Sequence, residues 1–293
     1  TEKDFMNPLN ADGMGNLLKQ DLAQRFALYV SNAELFFNRK NLDQHYTYSF
    51  FQGVCDVLRQ NKSQEGVDLE KILNLVENII ESDKKESFPE DEKRRERFDT
   101  WVAGWNSVYY AMSDGIKDLL GEGRDKMPID FLVYRERLLS IIKYLLSHGS
   151  PREESNTKED GNDPFSVAIN SVRGRAFQSF VLFTYRDGEK FPKDAEIKIS
   201  EDVKKVYEEI LDMEKTYAVM FLYGHYLPSF YYRDKKWIKK MIANIFSENP
   251  ERHDLYLAAW EGYISANIYG DIFSELNDLY ERAIKLDPEK YTK

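Results

Sequence analysis

The side chains of this 293-residue chain that could do chemistry are four histidines, one cysteine, and a few arginines and carboxylates set among aromatic rings. A di-iron helical bundle needs a Glu three residues before each metal-binding His, so that both project from one helix face. None of His45, His148, His225 and His253 has one. His-Glu-x-x-His and cysteine clusters are also absent, so no metal or other cofactor is expected. Each His reads as a surface or internally satisfied helix residue, and His225, between Tyr223 and Tyr226, is the one whose burial matters. Cys55, in SFFQGVCDVLRQ, falls on the apolar side of a helix and reads as a buried, inert thiol rather than a nucleophile. GEGRDK at 121–126 has two glycines and a cation but no Gly-Lys-Ser/Thr ending, so a helix C-cap explains it better than a phosphate loop. Gly-x-Ser-x-Gly does not occur. Glu208 and Asp212, four apart on one helix face, could hold a cation or form a solvated acidic face. No catalytic residue is assigned.

Cations and rings come together in three places. Lys235, Lys236, Lys239 and Lys240 flank Trp237, and Lys93, Arg94, Arg95 and Arg97 precede Phe98. Either run could touch phosphate. A formal net charge of −10 argues against a general binder of nucleic acid or anionic membrane, and solvated helix faces account for both runs. The third place is YGHYLPSFYYRDKKW, 223–237, which sets Tyr223, Tyr226, Tyr231 and Trp237 close together. With Trp260 these rings suit a protein interface, where Tyr and Trp are favoured, or the buried corner between two helices.

The elements that must position these residues are helical. Apolar residues recur at three- and four-residue spacing through about eleven segments, and only IKIS at 197–200 alternates as a strand would. Residues 1–13 read as a leader or linker. A first helix runs from about Gly15 through LLKQDLAQRFALYVSNAELFF. Asn41 is expected to cap a second helix reaching about Asn61, in which Gly53 permits close approach. Val67–Ser82 is amphipathic. The run DKKESFPEDEKRRER, fifteen residues with twelve charges, marks a loop and a solvated first turn. Pro89 is placed at the start of a long helix to about Leu120, ended by Gly121, and Pro128 opens the next, to about Ser147. Ser200 is expected to cap EDVKKVYEEILDM, followed by an aromatic helix that Pro228 ends. Asp234 caps KKWIKKMIANIF, a helix over 252–268 follows, and Asp271 caps the last.

Asp163–Tyr185, DPFSVAINSVRGRAFQSFVLFTY, has the clearest start: Asp163 as cap and Pro164 at the first helical position. Its stripes of Phe165, Ile169, Val172, Ala176, Phe180 and Phe183, and of Phe177, Val181 and Tyr185, predict a central helix of the second half. Asn170, Arg173, Gly174 and Arg175 lie between them. A Gly within a helix costs about 1 kcal/mol against Ala, so Gly174 suggests close packing by a backbone or a partner.

These elements define an all-α fold, an irregular α-solenoid or antiparallel helical array. The polar stretch SPREESNTKEDGN divides it into a helical half at 1–149, a linker or disordered loop at 150–163 and a helical half at 164–293. Ala103, Trp105 and Ala111 are echoed by Ala258, Trp260 and Ala266 at a constant offset of 155, and no strict repeat is present. With one cysteine, no signal peptide and no apolar run of membrane-spanning length, a cytoplasmic protein is expected. The first residue is Thr rather than Met, as expected of a piece cut from a longer protein.

The segment DPFSVAINSVRGRAFQSFVLF, followed in order by LPSFYYRDKKW, IANIF, AAWEGYI and DLYERAI, resembles the helical C-terminal regions of bacterial antiviral STAND-type NTPases. Those large NLR-like defence proteins carry an effector and an NTPase module nearer the N-terminus. The resemblance covers residues 163–286, and its motifs are structural. It implies a sensor or scaffold region that binds a foreign protein and relays the event, with the NTPase and effector chemistry on parts outside this chain. Asn170, Arg173 and Arg175 match the recurring segment, and a structural role is expected for them, anchoring neighbouring helices. On this reading the region is not an enzyme. A protein partner is expected, nucleic acid and membrane are not, and a homo-oligomer is admitted. The alternatives are a stand-alone helical enzyme with a dispersed site, such as Arg173, Glu208 and His225, or a nucleic-acid-binding array.

Overall fold

The computed structural model describes residues 10–38, 41–60, 67–88, 101–121, 128–156, 163–267 and 269–285. Among them the fold is all-α, with 14 α-helices and no strand, IKIS included. The helices are α1 (Ala11–Gln24), α2 (Phe26–Ser31), α3 (Gln44–Arg59), α4 (Glu70–Glu86), α5 (Trp105–Leu119), α6 (Phe131–Leu146), α7 (Pro164–Asn170), α8 (Val172–Gly188), α9 (Glu201–Met213), α10 (Tyr217–Arg233), α11 (Lys235–Ile245), α12 (His253–Ser265), α13 (Gly270–Glu275) and α14 (Asn277–Ile284). The chain forms two compact units. One comprises Thr1–Pro151 and Ile169–Asp187, the other Arg152–Ala168 and Gly188–Lys293. This division differs from the expected halves. The Phe177, Phe180 and Phe183 stripe is buried in the first unit, so α8 is a central helix there and not in the second half.

In the first unit α5 is enclosed almost all round. Val108, Ala111, Met112, Ile116 and Leu119 are buried, and so are Ser113, Asp114, Lys117 and Asp118. Helix α3 packs on both α1 and α5, and α6 on α4 and α5. Leu22 of α1 lies against Gly53 of α3, the close approach expected there. Three arginines of α8 fasten the unit. Arg173 Nε donates to the Leu146 carbonyl at the end of α6 (2.9 Å). Arg186 donates to the carbonyls of Leu120 and Gly121 at the end of α5 (both 2.9 Å), and Arg175 Nε donates to the Tyr110 hydroxyl (2.8 Å). A helix leaves its last carbonyls without partners, and guanidinium groups satisfy them while complementing the negative end of the dipole. Gly121 ends α5 with φ 74°, the left-handed cap its type favours.

In the second unit α10 and α12 cross at two glycines. A Cβ on Gly224 would lie 1.8 Å from the Ala259 carbonyl oxygen, and one on Gly262 would lie 1.9 Å from that of Phe221. Each helix thus lays backbone on backbone at the other's glycine. Helix α11 packs on α9 and α10. Asn156 reaches the start of α10, donating to the Lys215 carbonyl (2.7 Å) and accepting the Tyr217 N–H (2.9 Å).

Several helices depart from the sequence expectation, each for a packing or capping reason. The first begins at Ala11, where Asn10 accepts the Gly13 N–H (2.9 Å), and it is divided at Arg25. Asp43, not Asn41, caps α3, through the His45 N–H (2.9 Å). Helix α5 starts at Trp105, after an extended Gly104, and Trp101–Ala103 is not helical. The 163–185 helix divides at Ser171, where the Arg173 N–H bonds the Ser150 carbonyl (2.8 Å) instead of continuing the ladder. The last helix divides at Leu276, and Asp271 lies inside α13 rather than capping it. Helix α12 stops at Ser265. Pro228 does not end α10. It costs about 3 kcal/mol inside a helix, but continuing the helix buries Phe230 and Tyr231, worth about 1.5–3 kcal/mol for a large apolar side chain. The leader at 1–9, the 64–66 turn, Pro89, the Lys93–Arg97 run, Phe98, 122–126 of GEGRDK, the 157–162 part of the linker and Pro288 lie outside the described residues.

Candidate functional site

Asp163 caps α7 as its sequence implies, accepting the Ser166 N–H (2.8 Å) and hydroxyl (2.7 Å), and these bonds hold its pKa below the ordinary value. Asn170, at the end of α7, is exposed. Gly174 is buried, with its N–H 3.3 Å from Ser171 Oγ. Arg173 and Arg175, with the bonds given above, are engaged within the first unit, and Arg175 also reaches Gln178 (3.1 Å).

Arg175 leads to a charged cluster that sequence reasoning did not assemble. Asp114 and Asp118, one turn apart on α5, are 5% and 4% exposed. Arg59, at the end of α3, pairs with Asp114 (3.1 Å) and Asp118 (3.0 Å). Lys117 stands 3.8 Å and Arg175 3.6 Å from Asp114 Oδ1. Burial raises the Asp118 pKa, and Arg59 opposes it. Burial works against the Arg59 charge too, but Asp118 and Asp114 outweigh it and hold the proton more firmly. Burial also pushes the Cys55 thiol well up, so it is not a nucleophile at neutral pH. The network joins α3, α5 and α8 by ion pairs. Its sequence signal was the polar interruption SDGIKD in an otherwise apolar helix.

The aromatic candidates are in the second unit, and most are interior. Tyr223 is buried and donates to the Tyr207 carbonyl (2.6 Å). Trp237 is buried, its Nε1 donating to Glu208 (2.8 Å), with its ring 5.9 Å from Tyr207 and 6.1 Å from Phe230. Tyr231 is buried with its hydroxyl on Glu275 (3.2 Å). Tyr226 is half-buried, its ring edge-on to His225 at 5.0 Å. Tyr223, Tyr231 and Trp237 therefore form the buried-corner arrangement. Trp260 belongs to another ring cluster, with Tyr280 at 5.0 Å and Tyr263 at 5.5 Å.

The groups considered for a dispersed site have structural partners. Glu208 serves Trp237, and His225 Nδ1 lies 3.2 Å from Ser265 Oγ. Burial lowers the His225 pKa, with a backbone bond at Gly262 opposing it. Arg173 belongs to the other unit. Among the described residues no group of three His, Cys, Asp or Glu side chains could hold a metal ion, and no helix is long and apolar enough to cross a membrane. The basic face of α11 is half engaged, Lys235 pairing with Asp271 (3.1 Å) and Lys239 with Glu275 (2.6 Å). Comparison of the chain with protein-family models, curated proteins and solved structures finds no match.

Proposed function

We propose that the chain is a non-catalytic helical-repeat region that binds protein, a sensor or scaffold within a larger bacterial defence or signalling NTPase. The observation that carries this reading is the use of the reactive side chains. Arg173 holds a helix-end carbonyl, Glu208 an indole N–H and His225 a serine hydroxyl. Groups committed to the fold in this way are poor acids, bases and nucleophiles, because reaction would break the contacts that position them. The formal charge of −10 and the pairing of Lys235 and Lys239 favour a protein ligand over nucleic acid. The family resemblance supplies the rest: recognition by the helical region, chemistry elsewhere in the parent protein, in the cytoplasm.

The test is made on the complete gene product. A P-loop module in the same reading frame is expected. Deleting 188–285, which spares the α8 residues of the first unit, from the parent should then abolish phage-triggered activity in a plaque assay while basal nucleotide hydrolysis survives. A complete reading frame of 293 residues, or substrate turnover by the chain alone, would overturn the proposal.

A further inference from the structure

Trp101–Gly104 leads into α5 outside any helix, with Gly104 extended, so its N–H groups must find partners elsewhere. Ala103 is fully buried, and its N–H donates to His45 Nδ1 at 3.0 Å. His45, near the start of α3, is 1% exposed. Because Nδ1 accepts, the neutral ring carries its proton on Nε2. Trp101 packs edge-on to the same imidazole at 5.8 Å and to Tyr48 at 5.4 Å, while half of its own surface faces solvent. Room for the ring comes from α1, since a Cβ on Gly15 would lie 2.6 Å from His45 Nε2.

We propose that His45 is an acid-sensitive latch that holds Trp101–Gly104 against α3. A second proton on the imidazole goes to Nδ1, which turns the acceptor into a donor aimed at another donor. The bond to Ala103 is then lost, and a buried N–H without a partner is costly. The latch is therefore closed while His45 is neutral and opens as pH falls. Among the described residues, the titratable groups beside it are Tyr46 and Tyr48 on α3 and Asp43 at the α3 cap, and α1 carries Asp12 and Lys19 about one turn either side of Gly15. Trp101–Gly104 brings no charge of its own. The inference stands apart from the sensor reading, because it concerns one segment within one unit.

The test is amide hydrogen exchange at Ala103, corrected for intrinsic exchange rates, between about pH 7.5 and about pH 5, the range histidine titrates through. Protection should fall by about tenfold or more in acid and return on neutralisation. By NMR, the Ala103 amide and the His45 ring should titrate together in the unmodified protein. His45→Gln keeps an acceptor that does not titrate, so its Ala103 amide should stay protected at both pH values. His45→Phe should leave it unprotected at both. Protection in the unmodified protein that does not change with pH, or separate midpoints for amide and ring, would overturn the latch. So would equal acid loss in His45→Gln, which would place the titration on a carboxylate.

Discussion

Adding one methyl group at Gly224 should do more damage than its size suggests, because what it meets is backbone. In Gly224→Ala the new Cβ would start 1.8 Å from the Ala259 carbonyl oxygen and 2.8 Å from the Tyr263 nitrogen. Carbon–oxygen contacts between packed helices settle at about 3.3–3.6 Å, so α10 and α12 must part by about 1.5 Å at the crossing. No rotamer change can relieve a carbonyl held in its own helix. Overpacking of this kind costs about 1–3 kcal/mol and occasionally more. Ala's better helix propensity returns about 1 kcal/mol. Both colliding groups are rigid, so a net loss of about 2 kcal/mol is expected. Gly270→Ala is the matched control, since it lies in the same unit and its Cβ would meet nothing within 4 Å. It should be neutral or stabilising by up to about 1 kcal/mol. The assay is urea unfolding. Tryptophan fluorescence in a Trp101→Phe, Trp105→Phe background follows the second unit through Trp237 and Trp260. Gly262→Ala strains the same crossing through Phe221, so the double variant should lose less than the sum of the singles. A Gly224→Ala midpoint at or above the parent's, or full additivity, would refute the backbone-contact argument.

Two further outcomes follow from the hydrogen bonds. Asp234 accepts from Lys204 (2.7 Å) and from the Trp237 N–H (3.0 Å), and these outweigh burial to lower its pKa. A lowered carboxylate contributes stability that is present above the unfolded value of about 3.9 and lost as pH falls through the folded value. Asp234→Asn should therefore flatten the acid side of a plot of urea midpoint against pH, and an unchanged slope would count against the pairing. Arg186→Ala leaves the Leu120 and Gly121 carbonyls without their cation and should cost about 1.5–3 kcal/mol, the range of charge-assisted bonds. Arg186→Lys should recover little, since one ammonium cannot match the fork on two carbonyls; urea unfolding of the first unit, followed by Trp101 and Trp105 in a Trp237→Phe, Trp260→Phe background, reads both variants.

Local chemistry was legible in the sequence. Asp163, Asp234 and Gly121 act within a few residues of themselves, so their types alone placed helix ends that the structure keeps. The buried stripe of α8 could be read from its spacing, because a helix face is a property of one segment. The breaks were not legible. Ser171 interrupts an unbroken apolar pattern because the Arg173 N–H finds the Ser150 carbonyl, a partner the local pattern does not show. The Asp114–Asp118–Arg59–Arg175 cluster was missed for the same reason, since its members come from three helices.

The sequence by itself determined that the chain is helical, that its rings are dense enough to need burial, and that Asp163 and Asp234 cap helices, because each of these is set by bonds and spacings within one segment. Tertiary structure decided the rest. It set the Phe stripe of α8 in the first unit, and it turned Tyr223, Tyr231 and Trp237 inward. It also let Pro228 stay inside a helix and brought Gly224 against Ala259. Each of these depends on a contact between segments far apart in the chain, and the energy of such a contact appears only once both surfaces have met.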